Sequence, residues 1–259
     1  MIPEGIHWHR TAPPAPACET LAGDKTADVA IIGAGLTGLR TAITLAEAGV
    51  DTAVLDAQSI GFGSSGRSGG QCNPIWRATP DDLRKKFGAE QSERLIRTTL
   101  TAADDLFDDI RRYKVDCDAE QNGWIQAANT RSAERGLKQL HAAWAEVGAD
   151  ITVLSTAQTH EAVGSDAYDF ALRHGKGGFV QPMALTRGYA KAAKANGARL
   201  YEQAPAQQVE RQGQKISCWV SEEPLRLLAS FFEGCESWAE SGRPERVSAG
   251  RPTEKGSTP

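Results

Sequence analysis

The sequence predicts an α/β protein built on a parallel sheet. Three observations carry this: the apolar run Ala27-Asp28-Val29-Ala30-Ile31-Ile32, a glycine-rich turn that opens a helical stretch, and a second apolar run, Thr52-Ala53-Val54-Leu55. Short apolar runs rich in β-branched residues read as strands covered on both faces, the habit of parallel sheets. The stretch from about Leu36 to Ala48 supplies the crossover helix, with Gly49 as its C-terminal stop. Residues 27–56 are therefore expected to form strand, helix and strand, with the strands parallel and the crossover right-handed.

Residues 1–26 read as a leader, because Thr11-Ala12-Pro13-Pro14-Ala15-Pro16 suits neither helix nor central strand. After the second strand comes a glycine-serine loop, Gly61-Phe62-Gly63-Ser64-Ser65-Gly66-Arg67-Ser68-Gly69-Gly70-Gln71. Ile96, Leu100, Ala103, Phe107 and Ile110 alternate spacings of four and three, which marks one face of a long amphipathic helix. A further helix is expected over Ser132 to Glu146, capped by Ser132, and another over Pro182 to Ala195, with Pro182 suited to its first turn. Trp124-Ile125-Gln126-Ala127, Tyr168-Asp169-Phe170-Ala171-Leu172, Arg199-Leu200-Tyr201 and Gln208-Val209-Glu210 read as strands. Past Ser217 the pattern fails, although Leu225 through Phe232 reads as a short helix; beyond Trp238 Ser, Gly, Pro, Glu and Arg dominate, the composition of a disordered tail.

These elements divide the chain into the leader 1–26, segments at 27–80 and about 140–215 that carry the strand-helix-strand pattern and its return, an interposed helical region at 81–180, and a tail at 218–259 that reads as disordered or out of frame. The chain has 259 residues, 40% hydrophobic and 24% charged, ordinary for a globular protein. A net charge of −4 offers no basic surface for nucleic acid, and no apolar run approaches the roughly 20 residues of a membrane span. The N-terminus lacks the basic start and apolar stretch of a signal peptide, so a cytoplasmic location is expected. Five cysteines with no C-x-x-C spacing read as isolated reduced thiols, and neither they nor the five histidines suggest a metal site.

Gly33-Ala34-Gly35-Leu36-Thr37-Gly38 is G-x-G-x-x-G, placed between a strand and a helix, and Asp56 ends the second strand at fingerprint distance. In this reading Gly33 makes the sharp turn, Gly35 lets a pyrophosphate approach the backbone, and Gly38 lets the helix lie close to the sheet. The first helical turn, at Leu36 and Thr37, offers free N–H groups and the positive end of the helix dipole. Asp56, followed by Ala57, is suited to accept both ribose hydroxyls of an adenosine and to repel a 2′-phosphate. The motif alone serves FAD or NAD equally. The loop that follows favours FAD, since Ser65, Gly66, Arg67, Ser68, Gly69 and Gly70 can form a nest of N–H groups for phosphate oxygens or a flavin edge.

The strand from Asp28 to Ile32, the fingerprint from Gly33 to Gly38, and Val54-Leu55-Asp56-Ala57 resemble the D-amino-acid oxidase (DAO) superfamily of FAD-dependent oxidoreductases. Ile60 to Gln71 is similar to the G-x-S-G-R-N-G-G-Q loop of its glutamylputrescine-oxidase-like and sarcosine-oxidase-like branch, with Ser68 in place of Asn. Gly177-Gly178-Phe179-Val180-Gln181-Pro182 and Arg199-Leu200-Tyr201-Glu202 are also similar to this branch. The resemblance covers residues 7 to about 212 and implies a Rossmann-like FAD/NAD(P)-binding domain with part of an α+β substrate domain. It implies FAD as cofactor and a backbone contact from Ala206 to the adenine. It also implies a primary or secondary amine or an amino acid as substrate. Hydride passes to flavin N5, the imine hydrolyses, and molecular oxygen reoxidises the flavin. No catalytic residue is named by it. Relatives continue well beyond position 212, so an apparently truncated chain is expected. Two alternatives stand beside the oxidase: a dehydrogenase of the same fold that uses a quinone or carrier, and a catalytically inactive FAD-binding fragment.

Overall fold

The computed structural model describes residues 6–212, 215–219 and 226–233. A short helix, α1 (His7–Thr11), precedes strand β1 (Lys25–Ile32), helix α2 (Leu36–Glu47) and strand β2 (Thr52–Leu55). A single 3-10 turn, Ser64–Gly66, leads to β3 (Gln71–Cys72), α3 (Pro80–Phe87) and the long α4 (Ala89–Arg112). Next come β4 (Trp124–Ala128), α5 (Arg131–Ala145), β5 (Ile151–Leu154), α6 (Thr156–Val163), β6 (Phe170–His174) and β7 (Gly178–Phe179). The last elements are α7 (Pro182–Ala195), β8 (Arg199–Tyr201), β9 (Gln208–Gln212), β10 (Lys215–Trp219) and β11 (Arg226–Glu233).

The main sheet runs β8-β2-β1-β11-β10-β9. Its first four strands are mutually parallel, and β9 and β10 are antiparallel additions. Val29 to Ile32 pair with Thr52 to Leu55, as the βαβ reading requires. Alternation within the strands separates two cores. Ile31, Val54 and Leu200 face α2 and α7, whereas Ala30, Ile32, Ala53, Leu55 and Tyr201 face Leu21, Ala204 and Cys218. Burial on both faces explains why β1 and β2 read as continuous apolar runs. A separate antiparallel sheet, β4-β6-β5, carries α5 and α6, and β3 pairs with β7. Among the described residues no helix is long and apolar enough to cross a membrane.

Three expectations are corrected. Residues 226–233 form β11, parallel to β1, rather than a helix. A short apolar run fits either period, and the unpaired side of β1 selects the strand. Helix α5 is capped two residues earlier than Ser132, by Thr130, whose hydroxyl accepts from Ala133 N at 3.1 Å. The strand expected from Tyr168 lies two residues later, at Phe170–His174, in register with β4 and β5. Cys235 and the tail beyond residue 238 lie outside the described residues.

The leader is fastened to the fold by side chains of α7. Gln181, 2% exposed, caps α7 by accepting from Ala184 N at 2.7 Å. Its amide nitrogen donates to Trp8 O at 2.9 Å and to Thr11 Oγ1 at 3.1 Å. Arg187 Nη1 donates to Ala12 O and Pro13 O, Lys194 Nζ donates to Ala17 O, and Glu19 N donates to Leu200 O.

One titratable group is sealed into the β4-β6-β5 sheet. His174 is 0% exposed, its ring lies 4.9 Å from that of Trp124, and neither ring nitrogen has a hydrogen-bond partner. Burial pushes its pKa down to about 4, with His141 adding to the fall and Asp150 opposing it.

Replacing Gln181 by Ala removes a helix cap and strands two leader acceptors, so Gln181→Ala is expected to cost about 2–3 kcal/mol in urea denaturation. An unchanged midpoint refutes the fastening role. The buried imidazole sets a pH dependence. The unfolded chain takes up the proton near 6.5 and the folded chain only near 4, so this stability is complete above pH 6.5 and falls as the pH drops toward 4. The loss amounts to about 3 kcal/mol, and His174→Leu is expected to flatten melting temperature against pH across that window.

Candidate functional site

The fingerprint folds as its residues dictate. Gly33 leaves β1 with φ +101°, a backbone conformation that disfavours side chains, and its N–H donates to Leu55 O at 2.7 Å. Gly35 is the N-cap of α2 and, having no side chain, leaves the first helical turn uncapped from within. Gly38 lies against the turn: a Cβ there would sit 2.0 Å from Gly33 O and 3.2 Å from Ile31 Cγ2. Gly33, Ala34, Gly35 and Gly38 are buried, Leu36 is half-buried and Thr37 is exposed at the mouth.

Asp56 reaches this turn from the end of β2. Its Oδ2 accepts from Ala34 N at 2.7 Å and its Oδ1 from Gln58 N at 2.8 Å. The carboxylate therefore spans the fingerprint and the start of the next loop, and Ala57 lies half-buried between them. Asp56 is also tied to β8: its N–H donates to Tyr201 O, and its carbonyl accepts from Ala204 N at 2.8 Å. That seam carries Ala206, two residues on, to the edge of the core formed by Ala30, Ile32 and Leu55.

The glycine-serine loop returns to the same helix end. Gly61 N donates to Ala34 O at 3.3 Å, and buried Ser65 accepts from Leu36 N at 2.9 Å. Other features of the loop differ from a simple nest. The N–H groups of Gly66 and Arg67 donate to Gly63 O and Ser64 O, closing the 3-10 turn. Gly66 and Gly70 serve close packing: a Cβ would lie 2.1 Å from Gly61 O at the first and 2.1 Å from Val180 O at the second. Arg67 is exposed and stacks over Phe62 at 4.5 Å. Ser68 and Gly69 are exposed, and the Ser68 hydroxyl accepts from Gly70 N at 3.4 Å.

The structure thus brings Gly33, Gly35, Leu36, Gly38, Asp56 and Ser65 to one end of α2, with Ala57 and Ala206 beside them. Arg67, Ser68 and Gly69 sit on the outer side of the loop. Sequence reasoning missed Glu202, whose Oε1 accepts from Ile60 N at 2.7 Å at the root of that loop. Its signals were an acid directly after a strand and its place at the end of the Arg199-Leu200-Tyr201-Glu202 segment. The buried cysteines offer no nucleophile here, since burial pushes the Cys72 thiol up to about 11 and the Cys117 thiol up to about 12.

The residues fit a dinucleotide. Gly35 puts no side-chain cap on the helix end, the dipole of α2 favours a pyrophosphate there, and the Asp56 carboxylate stands beside it. Comparison with known proteins agrees with this geometry. Residues 28–224 match a family model described as FAD dependent oxidoreductase (DAO). The chain is 34% identical to gamma-glutamylputrescine oxidoreductase of Escherichia coli over 74% of its own length and 45% of that protein. It is 32% identical to the probable oxidoreductase OrdL of Rhizobium meliloti over 82% of its length and 50% of that protein. Its fold is similar to that of glycine oxidase from Geobacillus kaustophilus, with a TM-score of 0.66, 20% identity, and coverage of 83% of this chain and 56% of that one. The chain spans about half the length of these relatives.

Proposed function

This chain belongs to the DAO family of FAD-dependent oxidoreductases, whose cofactor is FAD, and from that premise we propose that it holds FAD for the oxidation of a primary or secondary amine or an amino acid. The observation that carries the reading is the N-terminus of α2, which Gly35 leaves without a side-chain cap of its own, with Asp56 bonded to Ala34 beside it. Gly33, Gly35, Leu36, Thr37 and Gly38 would receive the pyrophosphate. Asp56 and Ala57 would receive the adenosine ribose, and Ala206 the adenine. Ser65, Gly66, Arg67, Ser68, Gly69 and Gly70 would border the remainder of the cofactor.

FAD, when bound, supplies the hydride acceptor, and a neutral amine substrate needs no protein base. The protein's part is orientation and charge. The helix dipole offsets pyrophosphate charge, and the Asp56 carboxylate disfavours a 2′-phosphate. Support for an amine or amino-acid substrate comes from the relatives' names, a gamma-glutamylputrescine oxidoreductase and a glycine oxidase. We take residues 81–180 as the partial substrate region and 27–80 with about 140–215 as the cofactor-binding segments. Oxygen is the proposed acceptor, with a quinone or carrier as the competing one.

Titration of the protein with FAD, followed by flavin fluorescence, tests the first half of this reading, and saturable quenching is expected. Anaerobic bleaching of the flavin by amines or amino acids tests the second half, and oxygen uptake then separates oxidase from dehydrogenase. Binding without bleaching identifies an FAD-binding unit that does not turn over, and a preference for NAD over FAD overturns the proposal.

Asp56→Ala removes two hydrogen bonds proposed to the ribose, and water recovers part of them. The expected loss is about 2–3 kcal/mol, or roughly 30–150-fold in FAD affinity. The same variant frees Ala34 N and Gln58 N, so the cofactor-free protein is expected to lose about 2 kcal/mol in denaturation as well. FAD affinity within about threefold of wild type means that Asp56 does not touch the ribose.

A further inference from the structure

We infer that Glu202 is a positioning residue for the cofactor loop: it holds the chain at Ile60 so that the segment beyond it meets the N-terminus of α2. The inference rests on the FAD reading of that helix end. Residues 56–60 and 201–204 are distant in sequence and are joined by a seam of backbone bonds. Asp56 N donates to Tyr201 O at 2.9 Å, Gln203 N to Gln58 O at 3.0 Å, and Ala204 N to Asp56 O at 2.8 Å. The seam requires a sharp reversal directly after β8. Gln203 supplies it with φ +53°, a left-handed conformation that costs a non-glycine residue energy. Such strain persists where neighbouring contacts over-determine it.

Glu202 adds a side-chain bond to this seam. Its Oε1 accepts from Ile60 N at 2.7 Å, across 142 positions of sequence. Ile60 is 2% exposed and belongs to the core under α2. The next residue, Gly61, donates to Ala34 O inside the fingerprint, and Ser65 further along accepts from Leu36 N. Fixing Ile60 therefore fixes where the loop crosses the fingerprint and which helical N–H it occupies. A charged acceptor makes this bond stronger than a neutral one would. The carboxylate also faces the leader: burial pushes the Cys18 thiol up to about 11, and Glu202 adds to that rise.

Three variants test the role. Glu202→Ala removes the acceptor, Glu202→Asp withdraws it by one methylene, and Glu202→Gln keeps an oxygen that can accept from Ile60 N. Hydrogen exchange on the cofactor-free protein is expected to be about 10-fold faster at the Ile60 amide and through residues 60–66 in Glu202→Ala, with β1 and β2 unchanged. FAD affinity by fluorescence titration is expected to fall about 10-fold in Glu202→Ala and by a smaller factor in Glu202→Asp, and to stay within about threefold of wild type in Glu202→Gln. Should Glu202→Ala fail to fold, the Asp and Gln variants decide the matter by the same two measurements. Unchanged exchange at Ile60, or equal loss of FAD affinity in the Ala and Gln variants, overturns the inference. A wild-type protein that binds no FAD overturns the flavin reading instead, and the exchange experiment still decides whether Glu202 fixes the loop.

Discussion

The approach of α2 to the turn after β1 is the constraint on which the rest of the structure depends. A methyl group at Gly38 would fall 2.0 Å from Gly33 O, so the helix can lie there only because residue 38 has no side chain. This contact directs the axis of α2 and aims its first turn at the mouth of the turn from Gly33. Asp56 and Ser65 then have a defined target. The first bonds the backbone at Ala34 and the second bonds Leu36. The site is a set of backbone groups held in place, and side chains act on it mainly as clamps.

The clamps come from distant parts of the chain, which explains the order of the main sheet. β8 lies beside β2 and brings residues 201–204 to the end of that strand, where Asp56 sits. The helix before β8, α7, covers α2 and packs against the glycine-serine loop through Met183. The loop's glycines thus answer a demand for close contact with Met183 and Val180. The residues between β3 and β7 in the chain build a sheet of their own, β4-β6-β5.

Most of that unit was legible in the sequence because its requirements are local. Only glycine tolerates the φ of Gly33 and the crowding at Gly38, and Pro182 marks the first turn of α7, whose bounds, Pro182–Ala195, are those the sequence predicts. Elements that rest on tertiary pairing were harder to read. Residues 226–233 have no preferred period of their own and become a strand beside β1. Three helices went unread, α1, α3 and α6, the last two although their starts are written in the sequence: Thr79 with Asp82 and Ser155 with Gln158 form capping boxes, the T-x-x-D and S-x-x-Q patterns of a helix start. In the site, Asp56 was legible by its spacing from Gly33. Glu202 was not, because its partner is a backbone N–H 142 positions away.

The fastening of the leader has a consequence for synthesis on the ribosome. Its partners Gln181, Arg187 and Lys194 lie 170 to 177 positions later in the chain. At elongation rates of about 5–20 residues per second, the leader waits roughly 10–35 s for them to be made. Throughout that interval Trp8 and the prolines that follow it stand without their partners, while β1, α2 and β2 are already complete. A segment that leaves the ribosome before β1 therefore settles only after α7 has been made, and its docking reports that α7 has arrived.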